Sequence, residues 1–135
     1  ICDPENLLAV SHRLSNVQIE CNDYRESFDF IDNRTFAYFD PPYRPLSQTS
    51  NFTSYTQDGF GDKEQPELAN YIDALSEKGA YVVISNSDPK SANANDDFFE
   101  TLYRKHLITR ISAKRMINSS ANGRGKISEL LIVSY

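Results

Sequence analysis

Four consecutive residues, Asp40-Pro41-Pro42-Tyr43, carry the most specific chemical pattern in the chain. They follow Thr35-Phe36-Ala37-Tyr38-Phe39, an almost continuous run of apolar, β-favouring residues that predicts a strand buried on both faces. Each proline fixes its own φ, and Pro42 biases Pro41 toward extended geometry, so the strand ends in a rigid turn. Neither proline has an N–H, which leaves their carbonyls as acceptors above the end of the sheet. A carboxylate, a neighbouring carbonyl and a phenol ring suit a planar group bearing an NH2. Two acceptors take its N–H bonds while the ring stacks on its face. Taken alone, the tetrapeptide also reads as a strand-capping aspartate with a Pro-Pro turn and a tyrosine packed nearby.

A sheet has to position these residues. Asp3 and Pro4 predict a helix start, with Leu7, Leu8, Val10 and Leu14 as its apolar face. Val17 to Cys21 alternates as a strand does, and a helical turn is expected near Ser27 to Ile31. Arg44 to Asp62 is polar and aperiodic, which predicts a functional loop. A helix follows from Asp62 to Lys78, with Leu68, Tyr71, Ile72 and Leu75 inward and Gly79 as its stop. Tyr81 to Ser85 is a second buried strand, Asp96 to His106 a helix, and Leu107 to Ala113 with Glu129 to Ser134 a closing pair of strands. The order β, β, α, β, α, β, β predicts an α/β fold: a mainly parallel sheet, helices on both faces, and a C-terminal antiparallel hairpin at its edge. Ligands bind such sheets at the carboxyl ends of the strands, where Asp23, Asp40 and Asn86 to Asp88 fall.

The chain has 135 residues, 39% hydrophobic and 24% charged, the size of one domain with one core. It begins at Ile1 and reads as a piece of something longer. No apolar run approaches the roughly 20 residues of a membrane span, and Cys2 and Cys21 have neither disulfide-framework nor zinc spacing. A reducing cytosol is the expected compartment. The net charge of -5 conceals an asymmetry. Arg104 to Lys126 carries seven Lys or Arg and no acid, leaving -12 on the remainder. That dipole points to a polyanion contact or, on the blander reading, to a solvated basic hairpin.

Beyond these readings the chain resembles the C-terminal half of the Dam-type DNA adenine-N6 methyltransferases, which include GATC-modifying enzymes of restriction systems. The resemblance runs through Val17 to Tyr24, Phe36 to Ser47 and Asn51 to Tyr55. It continues through Val83 to Asp88, Arg115 to Ser119, Gly123 to Gly125 and Glu129 to Leu131. It implies residues 1–135 as the C-terminal part of a doubly wound, Rossmann-like catalytic domain that uses S-adenosylmethionine. Asp40, Pro41 and Tyr43 are implied as catalytic residues acting on an adenine flipped out of double-stranded DNA. Asp23, Tyr24 and Asp40 are implied to line the cofactor site, and no metal is implied. Lys114, Arg115, Asn118, Ser119, Arg124 and Lys126 are expected to grip phosphates in a strand-loop-strand.

The glycine-rich cofactor loop and target-recognition region of such enzymes have no counterpart here. Partnership with an N-terminal half, or self-association, is therefore expected. RNA base methylation through the same tetrapeptide and a non-catalytic nucleic-acid-binding remnant are the competing readings. Gly123-Arg124-Gly125-Lys126 lacks phosphate-loop spacing. His12 and His106 read as isolated surface or helix-end residues.

Overall fold

Asp3 and Pro4 start the first helix as their residue types dictate. In the computed structural model, which describes residues 3–46, 60–114 and 126–135, helix α1 spans Pro4–Leu14, and the Asp3 side chain accepts from the Asn6 N–H at 3.1 Å. None of its residues is buried, and Leu7, Leu8, Val10 and Leu14 all face outward. The expected strand at Val17 to Cys21 does not form. A strand exists only beside a neighbour that takes its backbone hydrogen bonds, and none of the four described strands pairs with this segment. Its Val17 and Ile19 are exposed. The helical turn expected near Ser27 to Ile31 begins earlier, as a 3-10 turn over Tyr24–Asp29. Asp23 caps it, accepting the Arg25 N–H at 2.9 Å.

Four strands form one sheet: β1 (Phe36–Phe39), β2 (Tyr81–Ser87), β3 (Leu107–Lys114) and β4 (Lys126–Val133). Helix α2 (Glu64–Glu77) crosses between the parallel pair β1 and β2, with Phe39 level with Ile84. It stops at Gly79, whose φ of 84° is the left-handed geometry of a helix terminator. Helix α3 is only Phe98–Leu102, shorter than the expected Asp96 to His106, because Tyr103 leaves helical geometry (φ -105°, ψ 32°) ahead of β3. The sheet order is β1-β2-β4-β3. β4 returns antiparallel between β2 and β3, so the hairpin occupies the sheet edge as expected.

The sheet is therefore mixed, with one parallel and two antiparallel pairings, not mainly parallel. Parallel neighbours need a crossover, and among the described residues only α2 supplies one between paired strands. Helices do not cover both faces among the described residues. Leu68, Ala69, Ile72 and Leu75 of α2 and Phe99 and Tyr103 around α3 pack with Val82, Ile84, Leu130 and Ile132 in one core. Each fully buried aliphatic side chain there contributes roughly 1.5–3 kcal/mol. The opposite face leaves Phe36 62% and Tyr38 56% exposed, with Tyr81, Leu107 and Ile111 also open. β1 is thus an edge strand packed on one face through Ala37 and Phe39, not buried on both.

Candidate active site

Three consecutive residues at the end of β2 form a mould for the Asp40–Arg44 turn. The Ser85 hydroxyl donates to Asp40 Oδ1 at 2.8 Å. Asn86 Oδ1 accepts the Arg44 backbone N–H at 3.0 Å, and the Ser87 hydroxyl donates to the Arg44 carbonyl at 2.6 Å. All three are buried, whereas Asp40 is exposed. Period-two alternation does not divide the work, since Ser85, Asn86 and Ser87 all reach the same turn. β1 ends one register step earlier, so its continuation passes directly over these side chains.

The two proline carbonyls have different fates. Gln65, buried on the first turn of α2, donates through Nε2 to the Pro42 carbonyl at 3.5 Å, a weak bond. Among the described residues no hydrogen bond reaches the Pro41 carbonyl or Asp40 Oδ2. Among the described residues, one carboxylate oxygen and one carbonyl, adjacent in sequence, are thus left as open acceptors. Tyr43 stands beside them, 38% exposed. Partial burial raises its phenol above the ordinary range. Contact with Ser85 opposes that rise, and the Glu129 and Asp40 charges add to it.

Arg44 anchors the far side of the turn. Its Nε and Nη2 donate to the two oxygens of Asp62 at 2.7 and 3.0 Å, and its Nη1 donates to Asp96 at 2.8 Å. The guanidinium carbon lies 4.3 Å from the centre of the Phe98 ring. Hydrogen bonds to Asp62 hold the Arg44 pKa well above its ordinary value, partial burial opposing them.

Asp23 and Tyr24 reach the same end of the fold through an aromatic hub. Tyr71 of α2 meets the Tyr24 ring edge-on at 5.2 Å and the Phe39 ring at 6.1 Å, one residue before Asp40. The Tyr71 and Ser27 hydroxyls are 2.9 Å apart, and the Ser27 hydroxyl donates to the Tyr24 carbonyl at 2.6 Å. Asp23 accepts from Arg25 Nε and Nη2, both at 2.8 Å. Those side-chain bonds, with the Arg25 N–H, lower its carboxyl from 3.8 to about 2.

The basic stretch divides into two parts. Lys105 pairs with Asp73 at 2.6 Å, and Arg110 donates to buried Asp88 at 3.0 Å and also contacts Glu100. These two cations serve the fold. Lys114 and Lys126 pair across the hairpin three residues beyond the level where Ser87 meets Glu129. At about 3.3 Å per residue, the hairpin overshoots the end of β2 by roughly 10 Å. It leaves the sheet at the end that carries the Asp40–Arg44 turn. Arg115, Asn118, Ser119 and Arg124 lie outside the described residues, as does the Asn51 to Tyr55 segment.

Sequence reasoning missed several residues. Ser85, Arg44 and Gln65 hold the turn without having been singled out, whereas Asn86 and Ser87, which also hold it, fall in the Asn86 to Asp88 run expected at the ligand-binding strand end. His106 is no isolated surface residue: its side chain is 5% exposed and its Nε2 lies 2.7 Å from Asp73. Burial alone would raise the Asp73 carboxyl, but hydrogen bonds from Lys105 and His106 leave it below its ordinary value. Among the described residues no cluster of His, Cys, Asp or Glu is placed to hold a metal ion. No helix among them is long and apolar enough to cross a membrane.

Known proteins are similar to this sequence. The type II methyltransferase M.MjaIII of Methanocaldococcus jannaschii is 44% identical over 136 residues, covering 100% of this chain and 45% of the relative. The type II methyltransferase M1.LlaDCHI of Lactococcus lactis subsp. cremoris is 36% identical, covering 100% of this chain and 46% of its own length. A DNA adenine methylase of Haemophilus influenzae is 31% identical, covering 96% of this chain and 43% of its own. The chain thus spans somewhat under half the length of these curated relatives. The family model for D12 class N6 adenine-specific DNA methyltransferases matches residues 1–117, a span that contains the Asp40–Tyr43 turn and its Ser85–Ser87 mould, and the chain belongs to that family.

Proposed function

We propose that this chain carries the methyl-transfer half of a site-specific DNA adenine-N6 methyltransferase. The observation that carries the reading is the pair of uncommitted acceptors, Asp40 Oδ2 and the Pro41 carbonyl, beside the half-exposed Tyr43 ring. An adenine amino group presents two N–H donors in the plane of its ring, and this pair answers both. Extruding the base costs a few kcal/mol. Stacking on Tyr43 returns roughly 1–3 kcal/mol. The amine is a weak nucleophile because its lone pair is delocalised into the ring. Acceptors arranged around a pyramidal nitrogen stabilise the transition state more than the flat ground state. Asp40 then holds the surplus N6 proton at its carboxylate before releasing it to water.

S-Adenosylmethionine, when bound, supplies an electrophilic methyl group. The residues present fit it in kind: the exposed Asp40 carboxylate suits a cationic methionine end, and the half-buried Tyr24 ring offers an edge for its adenine. Asp23 would serve there through backbone and shape, since Arg25 already occupies both of its oxygens. Lys114, Arg115, Asn118, Ser119, Arg124 and Lys126 would contact DNA phosphates, a reading supported by the hairpin leaving the sheet at the Asp40 end. A GATC site is what the Dam-type resemblance suggests, and a chromosomal substrate would put the enzyme with the nucleoid in the cytoplasm.

The complete enzyme would carry a doubly wound sheet, its remaining half covering the open Phe36, Tyr38 and Tyr81 face. Light scattering on residues 1–135 alone should show self-association, and a compact monomer that unfolds cooperatively would refute that part. The function itself is tested by incubating the full-length protein with radiolabelled S-adenosylmethionine and duplex DNA, with RNA as the control. Label at adenine N6 of DNA is the expected result. Label in RNA alone, or in neither, overturns the reading.

A further inference from the structure

We propose that Ser85 is a positioning residue for methyl transfer, fixing which oxygen of Asp40 meets the reacting amine. The inference rests on the adenine-N6 reading above. The Ser85 hydroxyl has one hydrogen, and it lies on Asp40 Oδ1 at 2.8 Å. Among the described residues Oδ2 is left as the open acceptor on a carboxylate that is itself exposed. A carboxylate on an exposed turn would otherwise rotate about its terminal torsion, which is broad and roughly two-fold. Ser85 is 5% exposed, lies toward the carboxyl end of β2 and is paired to Leu131 of β4, so its own backbone is held on that side. One hydroxyl therefore sets the carboxylate.

The inference separates orientation from binding. The Pro41 carbonyl and the Tyr43 ring remain when Ser85 is truncated, so the base should still enter. Only the geometry of the acceptor at the amine is lost. In the full-length protein, Ser85→Ala should lower kcat by about ten- to a hundredfold, the loss of one hydrogen bond to a charged group. KM for DNA and the fluorescence rise of 2-aminopurine at the target base should stay at their wild-type values. Ser85→Thr, which keeps the hydroxyl on a strand that favours β-branched residues, should restore kcat.

Unchanged kcat in Ser85→Ala overturns the inference, as does a loss of 2-aminopurine signal in step with kcat. Failure of Ser85→Thr to rescue, with the fold intact, overturns it too. Should Ser85→Ala not fold, Ser85→Cys decides the matter: its weaker donor must lower kcat at unchanged KM, and equal kcat refutes the role. A wild-type protein that methylates no adenine sinks the adenine-N6 reading instead. An active wild type with an indifferent Ser85 sinks only this inference.

Discussion

Arg44 and Asp62, 18 residues apart in sequence, are joined by two N–H···O bonds of 2.7 and 3.0 Å. The same guanidinium reaches Asp96 and stacks on Phe98. It therefore ties the turn after β1 to the starts of both following helices. Its side chain is only 19% exposed, so these pairs are less screened than surface ones. Arg44→Ala should lower unfolding free energy by about 1–3 kcal/mol in urea denaturation of the full-length protein. Arg44→Lys should recover only part of it, since a point charge cannot span both carboxylates. An Arg44→Ala midpoint equal to wild type would remove Arg44 from this role.

Gly79 ends α2 at φ 84°, and a Cβ there would lie 3.1 Å from Asn33 Cβ. Both strain and crowding oppose any side chain. Gly79→Ala should cost about 1–2 kcal/mol and lower Tm. Gly79→Asn should be less damaging than Gly79→Val, because asparagine tolerates the left-handed region. Equal melting of all three variants would contradict the assignment.

The Asp23 carboxyl, held at about 2 by Arg25, has a folded value below its ordinary 3.8. A depressed carboxyl stabilises the fold above its unfolded value, and that contribution disappears as pH falls from near 4 through about 2. NMR titration of the Asp23 side-chain carbonyl should give the low midpoint. In Arg25→Ala the midpoint should rise toward 3.8. A midpoint indifferent to Arg25 would show that another group sets it.

Arg124 lies in the sequence between the two hairpin strands. If it contacts phosphate, Arg124→Ala should weaken DNA binding about equally on all sequences. It should also reduce the slope of log K against log salt by about one. An unchanged slope in a fluorescence-anisotropy salt series would end that role.

Strands and helices were legible wherever an apolar pattern met its own neighbours. The Tyr81 to Ser85 run, the inward residues of α2 and the closing hairpin all follow from patterning that the structure repeats. The Val17 to Cys21 alternation failed because a strand is a relation between two segments, and its residues find no described strand beside them. Thr35 to Phe39 was misjudged for a related reason. Apolar residues on both sides of a strand say that both faces want cover, not that this chain provides it. At the site, Asp40, Pro41 and Tyr43 could be read from residue type and order. Ser85 and Arg44 could not, because their importance lies in distances across the sheet that no local pattern encodes.

The Ser85-Asn86-Ser87 mould belongs to the same strand whose Val82 and Ile84 fill the core. Its carboxyl end, held through Asn86 and Ser87 to β4, cannot fray without releasing Asp40 and Arg44. Assembly of the site and closure of the sheet are therefore one cooperative event. Amide protection of Ser85 to Ser87 against hydrogen exchange should track activity through a denaturant series, and mutational tuning of one without the other will be hard to find at these positions.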